Sequence, residues 1–96
     1  MTFDLHQKVS VPDDVLIRVL HDEAVILNLD SGTYLGLNEA GTRMWTLLTE
    51  SSSIQAAFEA LLNEYDVEAK QLRADLIDLI AQLIDNGLLV LLYDDI

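Results

Sequence analysis

The side chains that could do chemistry in this 96-residue chain are few: two histidines, His6 and His21, seventeen acidic residues and no cysteine. Acid–base, nucleophilic or metal chemistry needs such groups gathered, as a nucleophile beside a base, a carboxylate pair in a pocket, or ligands at metal spacing. His6 falls in a polar N-terminal stretch and His21 in a predicted hairpin turn, without ligand spacing between them, so both are expected to be solvated. The acids fall on the wet faces of predicted helices and in the terminal Tyr93-Asp94-Asp95-Ile96, where solvated charge is the ordinary reading. Without cysteine there is no disulfide, thiolate metal site or thiol nucleophile. No GxGxxG, P-loop, HExxH or calcium-loop pattern occurs. The expectation is therefore no catalytic residue, no metal ligand and no cofactor, so function has to be sought in surfaces.

The bulk properties narrow those surfaces. A net charge of −12 opposes the polyanionic backbone of nucleic acid. The five basic residues are scattered, and only Lys70 and Arg73 stand one helical turn apart. The N-terminus lacks the basic and apolar regions of a signal peptide, and no apolar run reaches the roughly 18 residues of a membrane span. A cytoplasmic protein with no nucleic-acid or membrane partner is expected. Residues 1–14 read as a loose or lightly docked segment around Pro12, and residues 15–96 as one domain.

The elements that would shape a surface follow from local patterns. "VLIRVL" (15–20), "AVILNL" (24–29) and "TYLGLN" (33–38) read as three short strands, with His21-Asp22-Glu23 and Asp30-Ser31-Gly32 as the turns. Gly32 can take the positive φ that a three-residue hairpin loop requires. Asn38 suits an N-cap for a first helix carrying Met44, Trp45, Leu47 and Leu48. A second helix starts after Ser51-Ser52-Ser53 and carries Ile54, Ala57, Phe58, Leu61, Leu62 and Tyr65. A third runs from about Glu68 to Asn86 and ends at Gly87. "LLVLLY" (88–93) reads as a last strand or a docked tail. Trp45 and Phe58, among aliphatic residues, are expected in the core. The predicted class is α+β, a three-stranded antiparallel sheet followed by three helices.

Two features exceed what a packed domain needs. On the third helix Leu72, Leu76, Leu79 and Leu83 form one stripe about 60° wide, and Ile77, Ile80 and Ile84 form a second about 100° away. Only the arc of Gln71, Asp75, Asp78, Gln82 and Asp85 is clearly wet. The surplus stripe either packs on the sheet and the apolar tail or lines a groove for another chain, with Arg73 at its cationic end. The strand 33–38 is also an edge without charge or proline, and Gly36 lets another backbone come close. It is either covered by helices or open to an extended peptide that adds as a strand.

"GTYLGLNEAGTRMWTLL" and "AFEALLNEYDVEAKQLRADLIDLIAQLIDNGLL" resemble the PqqD-like family of precursor-peptide recognition elements. The likeness spans residues 15–91 and rests on Tyr34, Asn38, Gly41 and Trp45, on Tyr65-Asp66-Val67, on Asp75 and on Gly87-Leu88-Leu89. It implies a winged helix-turn-helix-like fold that does no chemistry itself. Members bind the leader of a ribosomally made precursor as a strand beside the third sheet strand, in the cleft toward the third helix. Carried over, the leader backbone pairs with Thr33, Tyr34, Leu35, Gly36 and Leu37, and its apolar anchors meet Tyr34, Leu35, Ile77 and Ile80, with Leu76 in the same set. Charge alone adds Lys70 and Arg73 against acidic leader residues. The chain resembles free-standing members, of which the lasso-peptide ones work with a separate leader peptidase and a cyclase. The alternatives are a PqqD-type partner of a radical enzyme in cofactor synthesis, or a winged-helix transcriptional regulator, against which the charge argues. A monomer or a strand-exchanged homodimer is compatible with the open edge.

Overall fold

The computed structural model describes residues 5–92; the acids of Tyr93–Ile96 and the start of the N-terminal segment lie outside the described residues. In chain order the elements are β1 (Lys8–Ser10), β2 (Val15–Leu20), β3 (Glu23–Asn28), β4 (Tyr34–Leu37), α1 (Glu39–Glu50), α2 (Ile54–Glu64), α3 (Ala69–Asp85) and β5 (Val90–Leu92). The sheet and three helices expected from the sequence are present in that order.

β2, β3 and β4 form an antiparallel meander with β3 central, Ile26 standing opposite both Ile17 and Leu35. Side chains alternate across a strand, so Ala24, Ile26 and Leu37 share the inner face and are buried against the helices. β2 reaches beyond that cover. Leu16, Ile17, Val19 and Leu20 are all exposed, Leu20 at 74%. Gly32 turns the β3–β4 loop at φ +76°.

The helices start where their caps allow. Asn38 Oδ1 accepts the amide of Gly41 at 2.8 Å, and Ser53 Oγ accepts that of Ala56 at 3.0 Å, so each cap satisfies one orphan donor of a first turn. The core joins Trp45 and Leu48 of α1, Ile54, Ala57 and Leu61 of α2, and Leu72, Leu76, Leu79, Ile80 and Leu83 of α3. Leu88 and Leu89 complete it from beyond α3.

The described part of the N-terminal segment is docked on the domain. β1 pairs antiparallel with β5, Lys8 opposite Leu92, and Val9 is buried. The carbonyls of Leu5 and Gln7 accept the amides of Gln55 and Ile54 at 2.7 and 2.9 Å. These are first-turn donors of α2 that Ser53 does not reach, so the segment caps a helix as well as completing a ribbon. Among the described residues no helix is long and apolar enough to cross a membrane.

Candidate functional site

β4 is four residues long and is an edge of its sheet. In an antiparallel ladder successive residues turn their backbone groups alternately toward the partner and away from it. The Asn28 amide donates to the Thr33 carbonyl at 2.8 Å, which directs Thr33 toward β3. With the register 26↔35 and 24↔37, Leu35 and Leu37 also face β3, and the N–H and C=O of Tyr34 and Gly36 point outward. The Tyr34 side chain is 69% exposed, and a Cβ built on Gly36 would have no neighbour within 4 Å. The outer side of β4 is thus an open two-residue backbone template, with Leu35 half-buried and Leu37 buried behind it.

The C-terminal end of α3 is tied to the loop that leads into this edge. Its C-terminus is a Schellman motif: Leu88 N–H donates to Leu83 C=O at 2.8 Å and Gly87 N–H to Ile84 C=O at 3.0 Å, with Gly87 at φ +71°. The carbonyls of Asn86 and Gly87 are taken by residues at the two sides of the β3–β4 turn. Thr33 Oγ1 donates to Asn86 O at 2.6 Å, and Asn28 Nδ2 donates to Gly87 O at 2.7 Å. At the far end, where β4 passes through Asn38 into α1, a hollow of about 140 Å³ opens between α1 and α3. Ala40, Met44, Tyr65, Val67 and Leu72 line it, and Gln71 and Asp75 stand at it with Gln71 Nε2 donating to Asp75 Oδ1 at 2.9 Å.

At about 100° per residue, Asp75, Gln82 and Asn86 share one flank within about 40°, joining the hollow to the loop contact. Lys70, Arg73 and Ile77 stand about 120–180° around the helix from that flank. Leu76 and Ile80, at 1% and 0% exposure, offer no surface to a peptide. They hold α3 in the core, where burying each contributes roughly 1.5–3 kcal/mol. The structure ties Thr33 to the C-terminal end of α3 through the Asn86 carbonyl and sets Gln71 and Asp75 at the hollow beside α1, while Lys70, Arg73 and Ile77 stand on the other side of the helix from Asp75. Asp75 belongs to the wet arc of the sequence reading, and its place at an apolar hollow is what the fold adds.

An exposed ion pair lies elsewhere, across α1 and α2. Arg43 donates from Nε and Nη2 to both carboxylate oxygens of Glu64. This hydrogen bonding holds the Glu64 carboxyl below its ordinary range and raises the Arg43 guanidinium further. Among the described residues no group of three His, Cys, Asp or Glu is placed to hold a metal ion.

The family of coenzyme PQQ synthesis protein D (PqqD) matches residues 23–89, more than half of the chain. The chain belongs to the PqqD family. The matched span runs from the start of β3 to Leu89, so both walls of the cleft lie within the PqqD unit, while β1, β2 and β5 lie outside it. The solved structure of TbiB1 in complex with the TbiA(beta) leader peptide is similar at 35% identity and TM-score 0.77, covering 88% of this chain and 98% of that one. Lasso peptide synthetase B1 complexed with the leader peptide shares the fold at 23% identity and TM-score 0.76, covering 86% and 98%. No curated protein matches the chain.

Proposed function

We propose that this PqqD-family chain is a non-catalytic adaptor: it binds the leader of a ribosomally made precursor peptide as a strand added to β4 and presents it to a separate processing enzyme in the cytoplasm. The observation that carries this reading is the outward backbone of Tyr34 and Gly36 along the edge strand β4. An added strand there gains main-chain hydrogen bonds from the edge, while its alternate side chains reach α3 and the hollow under Asp75. Apolar lining with a carboxylate at its rim suits a leader side chain with an apolar body and a hydrogen-bond donor at its tip.

The likeness to TbiB1, a protein seen with a leader peptide, favours a lasso-peptide pathway with a leader peptidase and cyclase as the enzymes served. The alternative is a PqqD-type partner of a radical enzyme. The chain acts as a monomer, since Arg18 midway along β2 would meet its own copy in an edge-to-edge pairing and the net charge of −12 adds repulsion.

Titration of the isotope-labelled protein with the leader peptide encoded beside its gene tests the adaptor reading. Saturable binding with the largest amide shifts at Tyr34 and Gly36 is expected. Absence of binding, or shifts confined to β2, would refute it.

A further inference from the structure

We infer that Asn28 and Thr33 are positioning residues of the cleft, a clamp that sets the distance between β4 and α3; the inference rests on the adaptor reading above. Among the described residues no backbone hydrogen bond joins β4 to α3. What joins their surroundings is a pair of side-chain bonds from the β3–β4 turn to the residues that close α3, Thr33 Oγ1 to Asn86 O and Asn28 Nδ2 to Gly87 O. Both acceptors lie at the end of a helix, where carbonyls have no partner within it and carry the negative end of its dipole, so a donor from outside is held well.

Each residue also shapes the loop that carries the edge. Asn28 Oδ1 accepts the amides of Asp30 and Ser31 at 2.9 and 3.1 Å, folding the turn, while the other end of the same amide group reaches α3. Thr33 Oγ1 lies 2.7 Å from Ser31 Oγ, and the Thr33 carbonyl accepts the Asn28 amide, so the residue that starts the edge is held from both sides. Gly87 closes the contact. A Cβ there would stand 3.1 Å from Asn28 Nδ2, so the helix end and the loop meet at a distance that glycine permits.

The clamp matters for binding because strand addition works at one spacing. A new strand lies about 4.8 Å from β4, and its side chains must then fit against α3. If α3 and β4 were free to drift, only the fraction of molecules with the right gap would bind, and the apparent dissociation constant would rise by the reciprocal of that fraction. Neither clamp residue has to touch the leader for this effect.

The test uses Thr33→Val, Thr33→Ser and Asn28→Asp in the full chain. Asn28→Asp keeps the oxygen that folds the turn and removes the donor to Gly87, which separates the clamp from the loop. Thr33→Ser should bind the leader like the wild type, whereas Thr33→Val and Asn28→Asp should each weaken it about fivefold with little change in melting temperature. A leader-independent readout accompanies this. With no native cysteine, spin labels on Gly36→Cys and Gln82→Cys report the β4–α3 distance in the free protein. A narrow distribution in the wild type should broaden in the Thr33→Val, Asn28→Asp double variant. An unchanged distribution in the folded double variant, or a Thr33→Ser variant as impaired as Thr33→Val, would overturn the clamp. Broadening in a protein whose wild type binds no leader would support the clamp and refute the adaptor reading.

Discussion

Replacing Tyr34 with proline is the sharpest perturbation of the binding edge. The Tyr34 N–H points away from β3, so its loss leaves the β3–β4 ladder intact. The side chain is 69% exposed, so little burial is lost. A leader strand on this edge would lose one main-chain hydrogen bond, and the leader carbonyl left facing the proline ring would have no partner. Together these cost about 2 kcal/mol, close to a thirtyfold rise in the dissociation constant. Tyr34→Ala keeps the N–H and measures what the ring itself contributes. Fluorescence anisotropy with a labelled leader gives the affinities, and thermal melts followed by circular dichroism verify the fold. A folded Tyr34→Pro variant that binds as tightly as Tyr34→Ala would exclude β4 as the docking strand.

The α3 flank is tested by charge: Asp75→Lys should weaken leader binding at least fivefold, about 1 kcal/mol, whereas Arg73→Glu should leave it near the wild-type value, both read by calorimetric titration. The opposite ranking would place the leader on the other side of α3. Gly87→Ala should destabilise the fold by about 1–2 kcal/mol in urea unfolding, because φ +71° disfavours a Cβ and the added atom meets Asn28. An unchanged midpoint would mean the helix end relaxes freely. Glu64 has a lowered pKa when folded, so its pair with Arg43 stabilises above the ordinary carboxylate range and is lost as pH falls through the folded value. The stability gap between wild type and Arg43→Ala should therefore shrink on acidification and, since both side chains are well exposed, in added salt. A gap independent of pH would show that the Arg43 stem, not its charge, matters.

The local signals were strong enough to place the sheet and helices. Asn38 and Ser53 mark helix starts, Gly87 an end and Gly32 a turn, each because a backbone group there needs a particular side chain or a positive φ. β1 was not legible, because three residues paired with Val90–Leu92 across nearly the whole chain leave no local period. The edge at 33–38 could be read from its lack of charge and proline, and it is an edge of the sheet; the surplus apolarity of α3 is in large part core, which its sequence alone does not separate from a groove. Ile80 is fully buried, and the tail residues Leu88 and Leu89 are buried with it. α3 buries its leucine stripe and Ile80, while Ile77 and Ile84 stay half-buried, so two stripes in sequence correspond to one core face and the margin of it. The polar flank of Gln71 and Asp75 resembles any solvated helix face until the fold sets it at a hollow.

The outward backbone of Tyr34 and Gly36 also acts as a ruler with a two-residue step. A peptide paired to it can slide by two positions and keep the same side chains toward α3, but a slide of one exchanges the inward and outward sets. Adding a single residue within the docking segment of the leader, between the anchor that fills the hollow and the rest of the strand, should therefore uncouple the two. Adding a pair should preserve the phase and shift only the distance to the site of cleavage.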